Sequence, residues 1–256
     1  MVDIREIAKI TPRTFRVYLE DPYIREIEST IMGVHWEKKD RAYITLDKTI
    51  FHPKGGGQDG DSGLIIGEGF KFNILKVLEV DDVIFHYVKL IYGSPEIVKT
   101  GLMVKCILDW EKRIKIMKLH TAGHVLDYAV GEAYGGLIET LSANHSPPEA
   151  YIEYKAEIPS EDKIRVIYNE ANKIVREHRN VKCVWVEYRD LSRYAFNAPN
   201  LDRLPKADKY RIVIIEGING IPCTGTHLSN TGEINEIKIV KIEKTDFGFK
   251  LYYDAI

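Results

Sequence analysis

Glutamine occurs once in the 256 residues, at Gln58, and cysteine three times, at Cys106, Cys183 and Cys223. Three scattered cysteines cannot build a disulfide framework, which points to a reducing compartment. No apolar run approaches the ~20 residues of a membrane span, and the opening MVDIREIAKI lacks the apolar segment of a secretory signal. The expectation is a cytoplasmic protein without membrane attachment. Charge of one sign is missing too: 36 basic residues face 38 acidic ones, a net of -2, so a polyanionic partner must meet a local patch. Internal repeats and low-complexity tracts are absent. Scarce glutamine beside abundant Lys, Glu and Ile is a bias shared with proteins from hot environments, and it makes the one retained glutamine conspicuous.

What is present suffices for two domains, since 45% of the chain is hydrophobic. From 27 to 109 the sequence reads as short strands separated by Gly, Asp and Pro turns, at 31–35, 42–46, 64–66, 70–78, 83–90 and 102–108, with a further candidate at 11–19. Strands at that spacing suggest a small barrel. Asp109 is an N-cap candidate, and from Trp110 the apolar positions take helical spacing until Gly135 and Gly136. Strands at 137–141 and 150–156, a helix opened by Pro159 and Ser160, a strand at 181–188, a short helix at 190–196 and strands at 210–215, 237–242 and 249–253 follow. The pattern predicts an α+β protein: a β-barrel domain over 1–109 carrying a glycine-rich loop, then a domain over 110–256 with helices on a mainly antiparallel sheet.

Two pairs of residues carry candidate chemistry. His120 and His124 stand four apart in a helical run and so share one face. About a hundred residues later, IPCTGTHL offers Cys223 and His227 in a turn rich in Gly and Thr. Three imidazoles and a thiolate suit Zn(II), often held by two ligands from each of two segments. The bland alternative for the helical pair is one core and one surface histidine. No Glu lies within the pair, which excludes the metalloprotease arrangement. The other unusual stretch is FHPKGGGQDGDSG, where Lys54 precedes Gly55, Gly56 and Gly57. It is not a phosphate loop, because no Lys-Ser or Lys-Thr pair follows and a strand comes next. Three glycines serve either a tight connection between barrel strands or a backbone surface that receives a ligand's flexible end.

Together, LDKTIFHPKGGGQDGDSG, DWEKRIKIMKLHTAGH and IPCTGTH resemble, in order, the glycine motif, the HxxxH helix and the CxxxH motif of the alanyl-tRNA synthetase editing domain and of freestanding alanyl-tRNA editing (AlaX-type) proteins. The resemblance covers nearly all of the chain from about Ile31 and is closest to the medium-length freestanding form. It implies zinc held by His120, His124, Cys223 and His227, and hydrolysis of mischarged tRNA(Ala) at its acceptor end, chiefly seryl-tRNA(Ala) and also glycyl-tRNA(Ala). His120, His124 and Thr140 are then the candidate catalytic positions, with Thr140 twenty residues beyond the first histidine at a position the family associates with substrate selection. A site built to bond a hydroxyl rejects an analogue lacking it more strongly than an apolar pocket rejects an added one.

By the same resemblance Lys54, Gly55, Gly56, Gly57, Gln58 and Gly123 are candidate contacts to substrate or tRNA. Gly123 stands where the synthetases often carry a bulkier Thr, which implies a wider or wetter pocket. Lys112, Arg113, Lys115 and Lys118 form a basic cluster before the histidines, able to hold phosphates or simply to solvate a helix. Backbone amides at 224–226 are candidate oxyanion donors. Four protein ligands would close a tetrahedral zinc, whereas zinc hydrolases keep a position open. Whether the metal serves the attacking water or shapes the pocket therefore stays open, and so does a rival reading, a non-catalytic zinc-stabilised tRNA-binding module. A small-molecule metallohydrolase would leave the barrel and the glycine loop unexplained.

Overall fold

The computed structural model describes residues 2–256. They form two compact units, one running to Gly55 and resuming over Asp59–Ile114, the other made of Gly56–Gln58 and Lys115–Ile256.

In the first unit, helix α1 (Ile4–Ile10) starts at Asp3, whose carboxylate accepts the amides of Arg5 and Glu6 and so satisfies two of the orphan N–H groups of a helix start. The strand expected at 11–19 shrinks to Phe15–Arg16, paired in parallel with Lys48–Thr49, and a helical turn Val17–Glu20 follows. The reason lies in burial: neighbours Tyr18 and Leu19 both go inward while Phe15 stays exposed, which a period of two cannot achieve.

Six strands then close into an antiparallel barrel in the order β1 (Glu26–Lys38), β2 (Arg41–Leu46), β5 (Val83–Tyr92), β4 (Phe70–Val80), β3 (Gly63–Gly67), β6 (Met103–Leu108). Closure leaves no strand edge unpaired. Alternate residues fill the interior, Ala42, Ile44 and Leu46 from β2 and Phe70, Phe72 and Ile74 from β4. Between β4 and β5 the chain reverses through Asp81 and Asp82, both at positive φ, the tight turn whose twist matches a hairpin.

The ends of the glycine loop are tied within this unit. Asp61 donates its amide to the His52 carbonyl, and its carboxylate accepts the His52 amide in return. Arg113, fully buried, meets Asp61 with Nε at 3.1 Å and Nη2 at 2.5 Å, and donates to the Pro22 and Ile50 carbonyls. Every polar atom of that ion pair is therefore occupied from within, which is what makes a buried charge tolerable.

Helix α2 (Trp110–Tyr134) carries the histidines; its Asp109 cap accepts the Lys112 amide at 3.3 Å. It ends as expected, with Gly135 left-handed at φ 76 and Gly136 bonding back to the Gly131 carbonyl. From Leu119 to Leu126 it is buried on all sides, so the helical period is blurred there. In the second unit, β12 (Ile237–Lys244), β13 (Phe249–Ala255), β8 (Ala150–Tyr154) and β7 (Thr140–Asn144) make an antiparallel sheet in that order. Strand β7 starts three residues later than expected, since Leu137 remains exposed beyond the glycine stop. A second sheet orders β9 (Val181–Glu187), β10 (Lys209–Ile215) and β11 (Asn219–Pro222). The sequence offered no strand at β11, because glycine and proline mask it; as an edge strand it tolerates Pro222, and it delivers Cys223.

Helix α3 (Glu161–Arg176) is amphipathic, with Ser160 accepting the Lys163 amide and Ile167, Ala171, Ile174 and Val175 inward. Asn172 is buried with them and exchanges two bonds with the Ile237 backbone, side-chain amide to carbonyl and carbonyl to amide, tying helix to strand. Among the described residues no helix is long and apolar enough to cross a membrane.

Candidate functional site

Antiparallel pairing of β10 and β11 ends at Pro222, after which Cys223 donates its amide to the Arg211 carbonyl. The Arg211 guanidinium returns two bonds, to the Cys223 and Gly225 carbonyls, and so sets the turn that presents the thiol. Asn219 Nδ2 donates to the His124 carbonyl at 2.7 Å, fastening this strand to α2. Leu228 donates its amide to Thr121 Oγ1, which fixes the far side of the turn. The result brings together His120, His124, Cys223 and His227, whose ligating atoms lie within 4.8 Å of one another.

Cys223 Sγ is 3.4 Å from His120 Nε2 and 3.3 Å from His227 Nε2. Bond lengths to zinc of ~2.3 Å for sulfur and ~2.0–2.1 Å for nitrogen, at tetrahedral angles, require an S to N separation of ~3.5 Å. The spacing therefore fits one ion. Protonation agrees: burial, then His145 and Arg211, lower His124 to about 3, so it stays a neutral ligand. His124 Nδ1 is buried with no hydrogen-bond partner. The same burial pushes the Cys223 thiol up to about 11, and only a strong adjacent cation would make it a thiolate at neutral pH.

Gln58 sets the tautomer of His120. Its Oε1 receives the Thr226 backbone amide at 3.0 Å, which identifies that atom as the carbonyl oxygen, and its Nε2 donates to Thr226 Oγ1 at 2.9 Å. The same Oε1 lies 3.0 Å from His120 Nδ1, so Nδ1 carries the proton and donates it, leaving the Nε2 lone pair directed toward Cys223. Gly56 and Gly57 reach this point through left-handed φ values of 57 and 75, and Gly57 approaches the Ala143 carbonyl so closely that a Cβ would stand 3.1 Å from it. Gly55 and Lys54 are exposed, with Lys54 paired to Asp59 at 3.0 Å.

His145 was not singled out by sequence reasoning, yet its ring stacks on His120 at 4.4 Å and 16°. Tyr253 donates its hydroxyl to the Leu119 carbonyl at 3.0 Å, so His145 Nδ1 must donate to the Tyr253 oxygen at 2.6 Å. Burial lowers His145 to about 4, which keeps it neutral. This ring corrects the expectation for Gly123: a Cβ there would lie 2.6 Å from His145 Cε1, so the space is occupied by the imidazole, not widened for water.

A cavity of about 550 Å³ opens onto the cluster, lined among others by His120, His124, Cys223, Thr140, Asp127 and Trp185. Thr140 Oγ1 accepts from Asn200 Nδ2 at 2.5 Å and retains its own proton to donate. Two expectations change. Among the amides at 224–226, that of Gly225 points at Cys223 Sγ and that of Thr226 is taken by Gln58, so neither is a free oxyanion donor. The basic cluster also dissolves, with Arg113 buried against Asp61, Lys112 bonded to the Gly60 carbonyl and Lys115 to Asp254 and the Ala255 carbonyl. Sequence spacing placed them together, but the side chains of Lys112, Arg113 and Lys115 have intramolecular acceptors.

The family model for class II (A) tRNA synthetases matches residues 19–112, and that for the threonyl and alanyl tRNA synthetase second additional domain matches residues 210–246. The latter range holds Cys223 and His227. Residues 210–246 are thus similar to the family that carries this second additional domain. The alanyl-tRNA editing protein AlaX-L of Pyrococcus horikoshii is 37% identical over 229 residues, 90% of this chain and 54% of that protein. Alanine–tRNA ligases of Ignicoccus hospitalis and Sulfurisphaera tokodaii are 33% and 32% identical over 96% and 99% of this chain, which correspond to 26% and 27% of those proteins. The chain thus spans about a quarter to about half the length of these relatives.

Proposed function

We propose that the protein hydrolyses the ester of mischarged tRNA(Ala), chiefly seryl-tRNA(Ala) and also glycyl-tRNA(Ala), with a zinc ion held by His120, His124, Cys223 and His227. The observation that carries this reading is a metal-ready cluster opening onto a cavity with a hydroxyl donor, Thr140, on its wall. Zinc bound there would supply a concentrated positive charge and Lewis acidity beside an ester carbonyl.

The chain's own groups do the rest. Gln58 orients His120 and ties it to the 223–227 turn, so the ligand set is preorganised. Thr140 donates to the serine hydroxyl, which alanine lacks. Lys209 and Trp185, both on the cavity wall, provide a cation for the terminal phosphate and an aromatic face for the terminal base. The apolar share of the wall, including Ile152, Ile221 and Leu204, limits water around the ester. The corresponding setting is protein synthesis in the cytoplasm.

The closeness of all four ligands favours a second reading, a structural zinc in a tRNA-binding module. Incubation with seryl-, glycyl- and alanyl-tRNA(Ala), before and after chelation and zinc replacement, separates the two. Selective, zinc-restored release of serine is expected; tight tRNA binding without release would overturn hydrolysis in favour of the module. Thr140→Val supplies a second test: serine release should fall by ~10-fold or more in a protein that still folds, with the lost Asn200 bond lowering stability by only about 1 kcal/mol. Undiminished release would remove Thr140 from substrate selection.

A further inference from the structure

One helical turn beyond His124, Asp127 faces the same cavity as the metal-ready cluster. Its Oδ1 accepts the Tyr154 hydroxyl at 3.0 Å, and among the described residues Oδ2 accepts no hydrogen bond. Among the described residues no basic side chain is paired with it. Asp127 is moreover the one carboxylate on a cavity wall that also carries Arg211 and Lys209, the latter paired with Glu187 at 3.1 Å. A partly buried acid without a cation is costly to keep ionised, and burial raises Asp127 to about 7. Packing does not explain the charge either, since an Asn at this turn would fill the volume and accept the Tyr154 hydroxyl without that cost.

An aminoacyl ester at the end of a tRNA has the complementary charge distribution. Its α-amino group is a cation, its terminal phosphate an anion, and the scissile ester lies between. The cavity offers one anionic group and a separate cationic pair, with the histidines and Cys223 also on its wall. A cation such as the α-ammonium would be repelled by Lys209, Arg211 and any bound metal ion, so its only favourable place is beside Asp127.

We propose that Asp127, braced by the Tyr154 hydroxyl, is the subsite for the α-ammonium group of the aminoacyl ester. It deepens the editing reading and rests on it. Asp127 thereby orients the ester carbonyl and discriminates an aminoacyl group from a neutral acyl group of similar size. Tyr154 acts as a positioning residue, holding one carboxylate oxygen so that the other faces the ligand.

The test uses two non-hydrolysable probes, adenosine carrying at its 3′ position an amide of L-serine or of 3-hydroxypropanoic acid, which lacks the amino group. Their affinities for the zinc-loaded protein are measured by calorimetry at pH 7.5, alongside deacylation of seryl-tRNA(Ala). A charge-assisted bond to the ammonium predicts ~10- to 100-fold tighter binding of the seryl probe. Asp127→Asn should level the two affinities, and Tyr154→Phe should narrow the gap. Equal affinities in the unaltered protein, binding of neither probe, or a preference that survives D127N in a folded variant would overturn the proposal, even where deacylation proceeds. A preference abolished by D127N in a protein that releases no serine would sink the editing reading and leave the ammonium subsite standing.

Discussion

Replacing Gln58 with Leu isolates the contribution of the glycine loop to the metal centre. The side chain is 1% exposed and makes three hydrogen bonds, two accepted by Oε1 from His120 Nδ1 and the Thr226 amide and one given by Nε2 to Thr226 Oγ1. Leucine has nearly the same volume but strands two buried donors. Each costs about 1–3 kcal/mol, so a loss of about 2–6 kcal/mol is expected. For a chain of this size that corresponds to a melting temperature lower by roughly 4–24 °C. The His120 ring also loses the bond that fixes its tautomer, and outer-shell losses of this kind weaken metal affinity by ~10- to 100-fold. Zinc titration against a competing chelator reads the affinity, and thermal unfolding with and without zinc reads the stability. Zinc affinity within threefold of the unaltered protein would refute the argument that Gln58 orients the ligand.

Gly123→Ala sets helix propensity, a gain of about 1 kcal/mol, against a Cβ 2.6 Å from His145. Overpacking of a buried ring costs about 1–3 kcal/mol, so net destabilisation is expected in denaturant unfolding, and a stabilised variant would show that His145 moves freely. Arg113→Met leaves the Asp61 carboxylate buried without its cation, which should cost about 3–5 kcal/mol in the same measurement. Asp127 determines a pH dependence in metal-free protein. Its folded-state value, raised from 3.8 to about 7, means that folding favours the protonated form, so the contribution of Asp127 to stability is greatest below about 4 and is lost as pH rises toward 7. The full effect is at most about 4 kcal/mol at ~1.36 kcal/mol per pH unit. Asp127→Asn should flatten that slope, and an unchanged slope would relocate its source.

Local order determined much of the protein from sequence alone. The HxxxH spacing, the Asp109 cap and the Gly135 stop are properties of one helix, and each depends on residues a few positions apart. The alternating segments of the barrel are legible for the same reason, whereas 11–19 was misread because two consecutive inward residues obey no strand period. Likewise β11 was hidden, since glycine and proline mark loops by propensity while an edge position accepts both.

Tertiary structure alone decided which groups share the cavity. Gln58 meets His120 across 62 positions, His145 reaches Tyr253 across 108, and Asp127 finds Tyr154 on a strand of another element. The same level of organisation buried Arg113 and engaged Lys115, both of which read in sequence as part of a basic cluster able to hold phosphates or to solvate a helix. Periodicity and capping are set by neighbours along the chain, whereas burial and partner choice are set by which distant segments fill the same volume, and that information is not present in any window of the sequence.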